Sequence, residues 1–548
     1  MDEMVCNCSY NYTINTDTRL LNSRGRIRRM NHTSGSYPAA RRNKRTPGTV
    51  RVLMVFLALF AQLLLLAYLV DLLSQNAVYL YFLLEIAGAM VVAFIVTKDR
   101  NSSYTIFWLI IMLALPVFGY ILFLLWGTTG LTRRRSRKIR ENIAHALTFL
   151  KQDPHIFSEF LCKHPSRQRL GTYLCNEGFP IYYNTQCTYF PLGELQFEKL
   201  IEDMEKAQKF IFLEYFIVAD GQLWDRIHDL LRQKVQQGVE VRVLFDDLGS
   251  ITKISDSLVR ELRSEDIQAI RFNPVQMNIF RLLINYRNHQ KIAVVDGNIG
   301  YTGGPNIADE YVNLTHEMGH WKDTAIRLEG AAVWSLTVTF LQMWDSESNV
   351  KSDYQRYRPA INVGGTGYYQ PFTDSPVNNP NNPAEETYNQ IIAGAQQYVY
   401  ITTPYLIIDN KMKDILCVAA KGGIDVRIVT PKIWDHWYVH MVTQSNYEDL
   451  LAAGVRIYEY TPGFLHSKII LSDDDNAVIG SINMDYRSFF LHFENGVWIC
   501  GAPVLQDMKT DMSNLFAISE EIKLEAWTIR PQYIKIVQVV LRILAPLF

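Results

Sequence analysis

Cysteine is sparse in this chain of 548 residues: Cys6, Cys8, Cys162, Cys175, Cys187, Cys417 and Cys500 make an odd set of seven with no C-x-x-C pair. That excludes a disulfide scaffold and a paired-thiolate zinc site, and marks reduced thiols in a cytosol-facing protein. Thirty glycines and twenty prolines are too few for a collagen-like or low-complexity chain. A net charge is missing as well, with 54 Lys and Arg against 55 Asp and Glu. No broad positive field is available to hold nucleic acid, so no nucleic-acid partner is expected. The length excludes a single ordinary domain.

Charge and apolar residues are unevenly spread. Residues 1–49 form an Arg-rich tail, and Arg133 to Arg140 holds six basic residues and no acidic one. Between these blocks, in residues 50–127, lie three apolar runs, 52–70, 78–97 and 104–126, each long enough as a helix to cross about 30 Å of hydrocarbon. Glu85 and Pro116 interrupt the second and third without forbidding insertion. Three crossings would put the two basic flanks on opposite sides, so either one run is re-entrant or one flank breaks the positive-inside rule. The expected layout continues with a basic juxtamembrane linker over 128–180, a first domain over 181–350, a Gly/Asn/Pro-rich connecting loop over 351–384, a second domain over 385–520 and a C-terminal amphipathic segment over 521–548.

The two domains read as copies of one unit. Phe210 to Phe216 matches Val399 to Tyr405, and Gly238-Val239-Glu240-Val241-Arg242-Val243 matches Gly423-Ile424-Asp425-Val426-Arg427-Ile428, in the same order. Helical and β-branched strand patterns alternate in each, which predicts an α/β fold with a buried sheet covered by helices.

The repeat carries chemistry. His289-x-Lys291-x4-Asp296 is followed by Gly303-Gly304-x-Asn306, and His466-x-Lys468-x4-Asp473 by Gly480-Ser481-x-Asn483, with the same internal spacing and an offset of 177 residues. Two such matches in equivalent places are a strong signal. The two-residue period of a strand puts His289 with Lys291, and His466 with Lys468, on one face. A twofold merger gives two imidazoles, two ammonium groups and two amides, with no obvious metal-ligand set and no cofactor implied. That set suits a phosphodiester: Lys and Asn hold the oxygens, one His attacks phosphorus and the other protonates the leaving alcohol. His289, Lys291, Asp296, His466, Lys468 and Asp473 form the candidate catalytic set, although each Asp opens a turn after an apolar strand, where hydrogen bonding to backbone suits it.

With these residues in place, the chain resembles the phospholipase D superfamily with paired HKD motifs and, more narrowly, the bacterial cardiolipin synthases. The resemblance rests also on Asn285 to His289, Gly303 to Tyr311, Trp321-Lys322-Asp323-Thr324, Thr403-Pro404-Tyr405, Tyr460 to His466 and Phe493-Glu494. It implies two pseudo-twofold-related α-β-α sandwich domains behind N-terminal transmembrane helices, His289 and His466 as nucleophile and general acid/base with the N-terminal one favoured as nucleophile, and Asn306 and Asn483 at the phosphate. Asp323 and Glu494 would orient the imidazoles. It further implies phosphatidylglycerol and other anionic phospholipids as partners, a bacterial cell membrane with the catalytic domains on the cytoplasmic side, and transfer of a phosphatidyl group to a second phosphatidylglycerol. The alternatives are a hydrolase, a synthase with another headgroup, or an inactive membrane scaffold. Gly304 departs from the Ser at position 481, which leaves a hydroxyl contact to the second half alone. Lys535, Gln538 and Arg542 form one stripe of an otherwise apolar final helix, which either lies in the headgroup region or packs on the catalytic part. Met277 to Leu283 is a second apolar segment that faces either lipid or core.

Overall fold

The computed structural model describes residues 75–97, 102–115, 118–123, 133–255, 257–274, 286–348, 350–377 and 381–545, together with positions 60, 61, 64 and 68 of a helix ahead of them. The expected tail, most of the run 52–70 and the segment around Met277 lie outside the described residues.

Each half builds a mixed sheet. In the first, Phe210–Tyr215, Glu240–Asp246 and Gln268–Phe272 run parallel, and Ile292–Val295, Ile299–Gly303, Ala325–Gly330 and Thr185–Phe190 continue it antiparallel. In the second, Tyr398–Thr402, Asp425–Pro431 and Arg456–Tyr460 run parallel, flanked by Ile469–Ser472, Asn476–Gly480 and His492–Cys500 in antiparallel register. The innermost strands, Phe210–Tyr215 and Ile469–Ser472, are buried at every position. That is why they read as unbroken apolar runs and not as alternating ones. The helix Val333–Glu347 lies between the halves, buried from Val333 to Ser346. Phe340 stacks on Phe212 with ring centroids 4.5 Å apart, and one apolar cluster takes side chains from both sheets.

The expected boundaries shift in three places. The loop 351–384 contains the strand Tyr368–Asp374, which pairs antiparallel with Glu494 to Cys500. Ser519–Ile522 closes the far edge of the second sheet against Ile457 to Tyr460. The linker 128–180 folds into three helices, Arg133–Leu147, Pro154–Lys163 and Gln168–Asn176. Arg167, just ahead of the last of these, is buried and reaches Asp473 at 2.8 Å and Asp475 at 2.7 Å.

Among the described residues no helix is long and apolar enough to cross a membrane. Of the expected third span the described residues hold two helical pieces, Ser102–Ala114 and Phe118–Leu122. The second piece packs on the first so closely that a Cβ at Gly119 would sit 2.7 Å from the Ile111 carbonyl oxygen. Ile95, Phe107, Trp108, Met112 and Phe123 form an apolar cluster here, and Leu544 from the end of the chain packs against it.

The final helix, Gln532–Ile543, settles against the second half in an unusual sense. Its polar stripe faces inward: Gln538 is buried and Lys535 pairs with Glu448 at 3.3 Å. Tyr533, Ile536, Val539 and Val540 face outward. Packing on the catalytic part is therefore observed, and the apolar face is the one left open.

Candidate active site

The two motifs meet through their backbones. Arg287–Asn288, the segment that leads into the first motif, leaves its own sheet and pairs parallel with His492 and Phe493 of the second half. The His289 N–H then donates to the Phe493 carbonyl at 2.9 Å. On the other side of the pseudo-twofold the His466 N–H donates to the Lys322 carbonyl at 2.8 Å. Each histidine thus lies beside the residue that precedes the other half's carboxylate.

The side chains follow. Nδ1 of His289 stands 2.9 Å from Oε1 and 3.0 Å from Oε2 of Glu494, and Nδ1 of His466 stands 2.5 Å from Oδ2 of Asp323. Both pairs cross between halves, and both carboxylates are fully buried. A carboxylate on Nδ1 fixes the ring and leaves Nε2 for the reacting atom. Lys291 donates to the His289 carbonyl at 2.6 Å, and Lys468 donates likewise to that of His466.

Burial governs the electrostatics. It holds His289 well below the usual imidazole range, helped by Lys291, Lys468 and His466. It brings His466 to about 4, helped by Lys468 and opposed by Asp323. Lys291 falls to about 7 and Lys468 to about 8, again through burial and against the pull of Glu494 and Asp323. Two buried lysines with little solvation are poised to gain from an arriving anion.

The carboxylates differ in their surroundings. The Ser481 hydroxyl donates to Oε2 of Glu494. At the matching position a Cβ on Gly304 would lie 2.0 Å from Oδ1 of Asp323, so glycine is required there by space, and Asp323 accepts instead from the Thr324 N–H at 2.8 Å. The hydroxyl contact expected from the second half alone is present.

The family model "Cardiolipin synthase, PLD-like domain" matches residues 200–344 and 388–516, and "Phospholipase D-nuclease N-terminal" matches 86–127. Cardiolipin synthase 2 of Bacillus anthracis is 35% identical over 82% of this chain and 88% of its own. The major cardiolipin synthase ClsA of Bacillus subtilis is 32% identical over 86% and 99%. The chain belongs to the PLD-like cardiolipin synthase family. A phosphatidylserine synthase from Haemophilus influenzae, 15% identical, shares its fold with a TM-score of 0.53 over 70% of this chain and 98% of that one.

Within this PLD-like frame the two motif aspartates stand apart from the imidazoles. Asp296 and Asp473 follow the far ends of Ile292–Val295 and Ile469–Ser472, both with φ of 54°, a conformation that aspartate tolerates. Asp296 accepts from the N–H groups of Gln208, Lys209 and Phe210 at 2.7 to 2.9 Å. Asp473 accepts from those of Gln396, Gln397 and Tyr398 at 2.8 to 3.1 Å. The structure therefore corrects their place in the catalytic set: they fix the starts of the matching strands Phe210–Tyr215 and Tyr398–Thr402. Asn306 is buried with its Oδ1 held by the Ile217 N–H at 3.0 Å, which turns its amide hydrogens elsewhere. Asn483 is buried with Oδ1 unpartnered.

Several neighbours of the imidazoles were not among the expected site residues. Phe216 and His492 pack on His289, with centroids at 5.1 and 5.3 Å. Tyr311 and Trp321 pack on His466, at 5.4 and 5.5 Å. His492 and Trp321 each precede their carboxylate by two residues, so comparing the two halves position by position would have found both. Asp246, joined to Arg287 at 3.4 Å and to the Asn288 N–H at 3.0 Å, supports the crossing strand from below. No local pattern marks it.

Proposed function

We propose that the protein is a cardiolipin synthase that transfers a phosphatidyl group from one phosphatidylglycerol to the headgroup hydroxyl of another. The observation that carries this reading is the crossed pair of carboxylate-bound imidazoles over two buried lysines. It is supported by the relatives, which are cardiolipin synthases.

The two imidazoles have different tasks. Asp323 commits one oxygen to His466, whereas Glu494 divides its charge between His289 and the Ser481 hydroxyl. An imidazolium is better stabilised at His466, which makes it the general acid, and His289 remains neutral as the nucleophile. Nε2 of His289 attacks phosphorus, the bond to the glycerol oxygen breaks, and His466 gives that oxygen its proton. Lys291, Lys468, Asn306 and Asn483 hold the non-bridging oxygens as charge builds on them. A second phosphatidylglycerol then loses its hydroxyl proton to His466 and its oxygen displaces His289, which yields cardiolipin and restores both rings.

The site works at a membrane. The outward apolar face of Gln532–Ile543, the exposed Trp437 at the start of the helix it packs against, Trp437–Ser445, the exposed Trp434 just ahead of that helix, and exposed Phe82, Met90 and Phe94 on Gln75–Val96 suit the bilayer interface. The exposed Arg137, Lys138 and Arg140 suit an anionic, cytoplasmic leaflet.

Purified protein with phosphatidylglycerol in mixed micelles should release glycerol and form cardiolipin in equal amounts. Phosphatidic acid as the sole lipid product would instead assign a hydrolase. Full activity in His289→Ala or His466→Ala would overturn the covalent route.

A further inference from the structure

His492 has no task in the transfer just described. It is 8% exposed, yet neither ring nitrogen has a hydrogen-bond partner among the described residues. A buried polar group left unpaired is costly, because it has given up its hydrogen bonds to water. Its counterpart across the pseudo-twofold, Trp321, covers His466 with an indole, so the phosphoryl chemistry does not need a second imidazole at this place. Oε1 of Glu494 is also without a well-aligned hydrogen bond despite its nearness to His289.

We propose that His289, His492 and Glu494 form an inhibitory binding site for a divalent transition metal of the zinc type. One ligand atom from each lies within 4.8 Å of the others. A tetrahedral zinc with ligands at about 2.0–2.1 Å sets neighbouring ligand atoms roughly 3.3 Å apart. Oε1 of Glu494 stands 2.9 Å from Nδ1 of His289 and 3.6 Å from Nδ1 of His492, on either side of that spacing. The third edge, between the two imidazoles, is no longer than 4.8 Å. Two imidazoles and one carboxylate suit zinc and exclude magnesium and calcium, which take oxygen donors. The nearby ammonium groups of Lys291 and Lys468 oppose a dication, which makes the site exchangeable and not structural.

The metal takes the lone pair of Nδ1 on His289, and the proton that sat there moves to Nε2. Nε2 then has no lone pair to offer phosphorus, and transfer stops. This inhibitory clause rests on His289 as nucleophile, whereas the binding clause does not.

The test uses the full chain, stripped of metal with EDTA, and zinc chloride as the probe. Equilibrium dialysis should find one zinc per chain, lost in His492→Phe and in His492→Asn. Cardiolipin formation by the unaltered chain should fall with zinc and recover with EDTA. Both variants should keep basal activity and need about tenfold more zinc or above for the same inhibition. No bound zinc, or equal binding and equal inhibition in the variants, overturns the site. Binding that depends on His492 but leaves activity unchanged keeps the metal site and overturns its inhibitory role, and with it the assignment of His289 as nucleophile.

Discussion

Nδ1 of His466 lies 2.5 Å from Oδ2 of Asp323, a residue 143 positions earlier and in the other half of the molecule. This contact singles out His466 as the ring better able to carry a proton. A substrate whose leaving group needs no proton separates its role from that of His289. With a p-nitrophenyl phosphodiester, His466→Ala should still release one equivalent of nitrophenol in a burst, whereas His289→Ala should release none. With phosphatidylglycerol both variants should lose roughly 10²–10⁴-fold in rate, the usual range for a proton-transferring side chain. A burst from His289→Ala and none from His466→Ala would reverse the assignment.

Ser481 tempers Glu494. Its hydroxyl donates to the carboxylate that also holds His289, so Ser481→Ala leaves more negative charge facing the ring. A charged imidazole at His289 is then better stabilised and its pKa rises. Because the nucleophile must be neutral, the acid limb of kcat/KM should move to higher pH, by about one unit if one charge-assisted hydrogen bond is lost. An unshifted limb would show that the hydroxyl does not tune this histidine.

Gly304 makes room for Asp323. In Gly304→Ala the new methyl group meets the carboxylate, which must swing away from His466. Displacement of a positioning group by about an ångström costs roughly a hundredfold in rate, and a variant with unchanged melting temperature and that loss in kcat would confirm the spatial reason. Ser481→Gly, by contrast, opens space without collision and should lose far less.

Arg167 ties the helices ahead of the first domain to the turn that follows the second motif. It bonds Asp473 at Nη2 and Asp475 at Nε, and it is the first cause in depressing Asp473 that opposes the rise from burial. Arg167→Met should destabilise the protein by about 3 kcal/mol, the lower end for a buried pair because Asp475 is a third exposed. A carboxylate with a depressed pKa contributes stability that is full above its unfolded value and is lost as acid protonates it in the fold. The unaltered chain should therefore lose this increment as pH falls below the ordinary carboxylate range, and Arg167→Met should show a flatter acid limb in thermal unfolding.

Much of the site was legible because its groups are local. His289 and Lys291 are two residues apart, so an extended backbone alone sets them together, and the second copy made the signal specific. Asp323 and Glu494 were recognisable by position, but their exchange between halves was not. It depends on Arg287–Asn288 pairing with His492–Phe493, and parallel pairing between distant segments leaves no periodic trace. The aspartates of the motif show the reverse: spacing grouped them with the catalytic residues, while their left-handed turns serve the strand starts. The stripe of Lys535, Gln538 and Arg542 was visible as a pattern. Which way it faced was not, because Glu448 and Arg530, which receive it, come from elsewhere in the chain.

The strand shared between the halves bears on how lipids come and go. Enzymes that enclose substrate between two lobes usually open a cleft to release product, with a few loop residues acting as the hinge. Here a backbone ladder runs through the reaction centre, and opening the halves would break it together with both histidine–carboxylate contacts. The centre is therefore a fixed socket. On the proposed route, glycerol would then leave and the acceptor lipid would enter without the halves parting, so that exchange at the site, not motion of the halves, would order the two chemical steps.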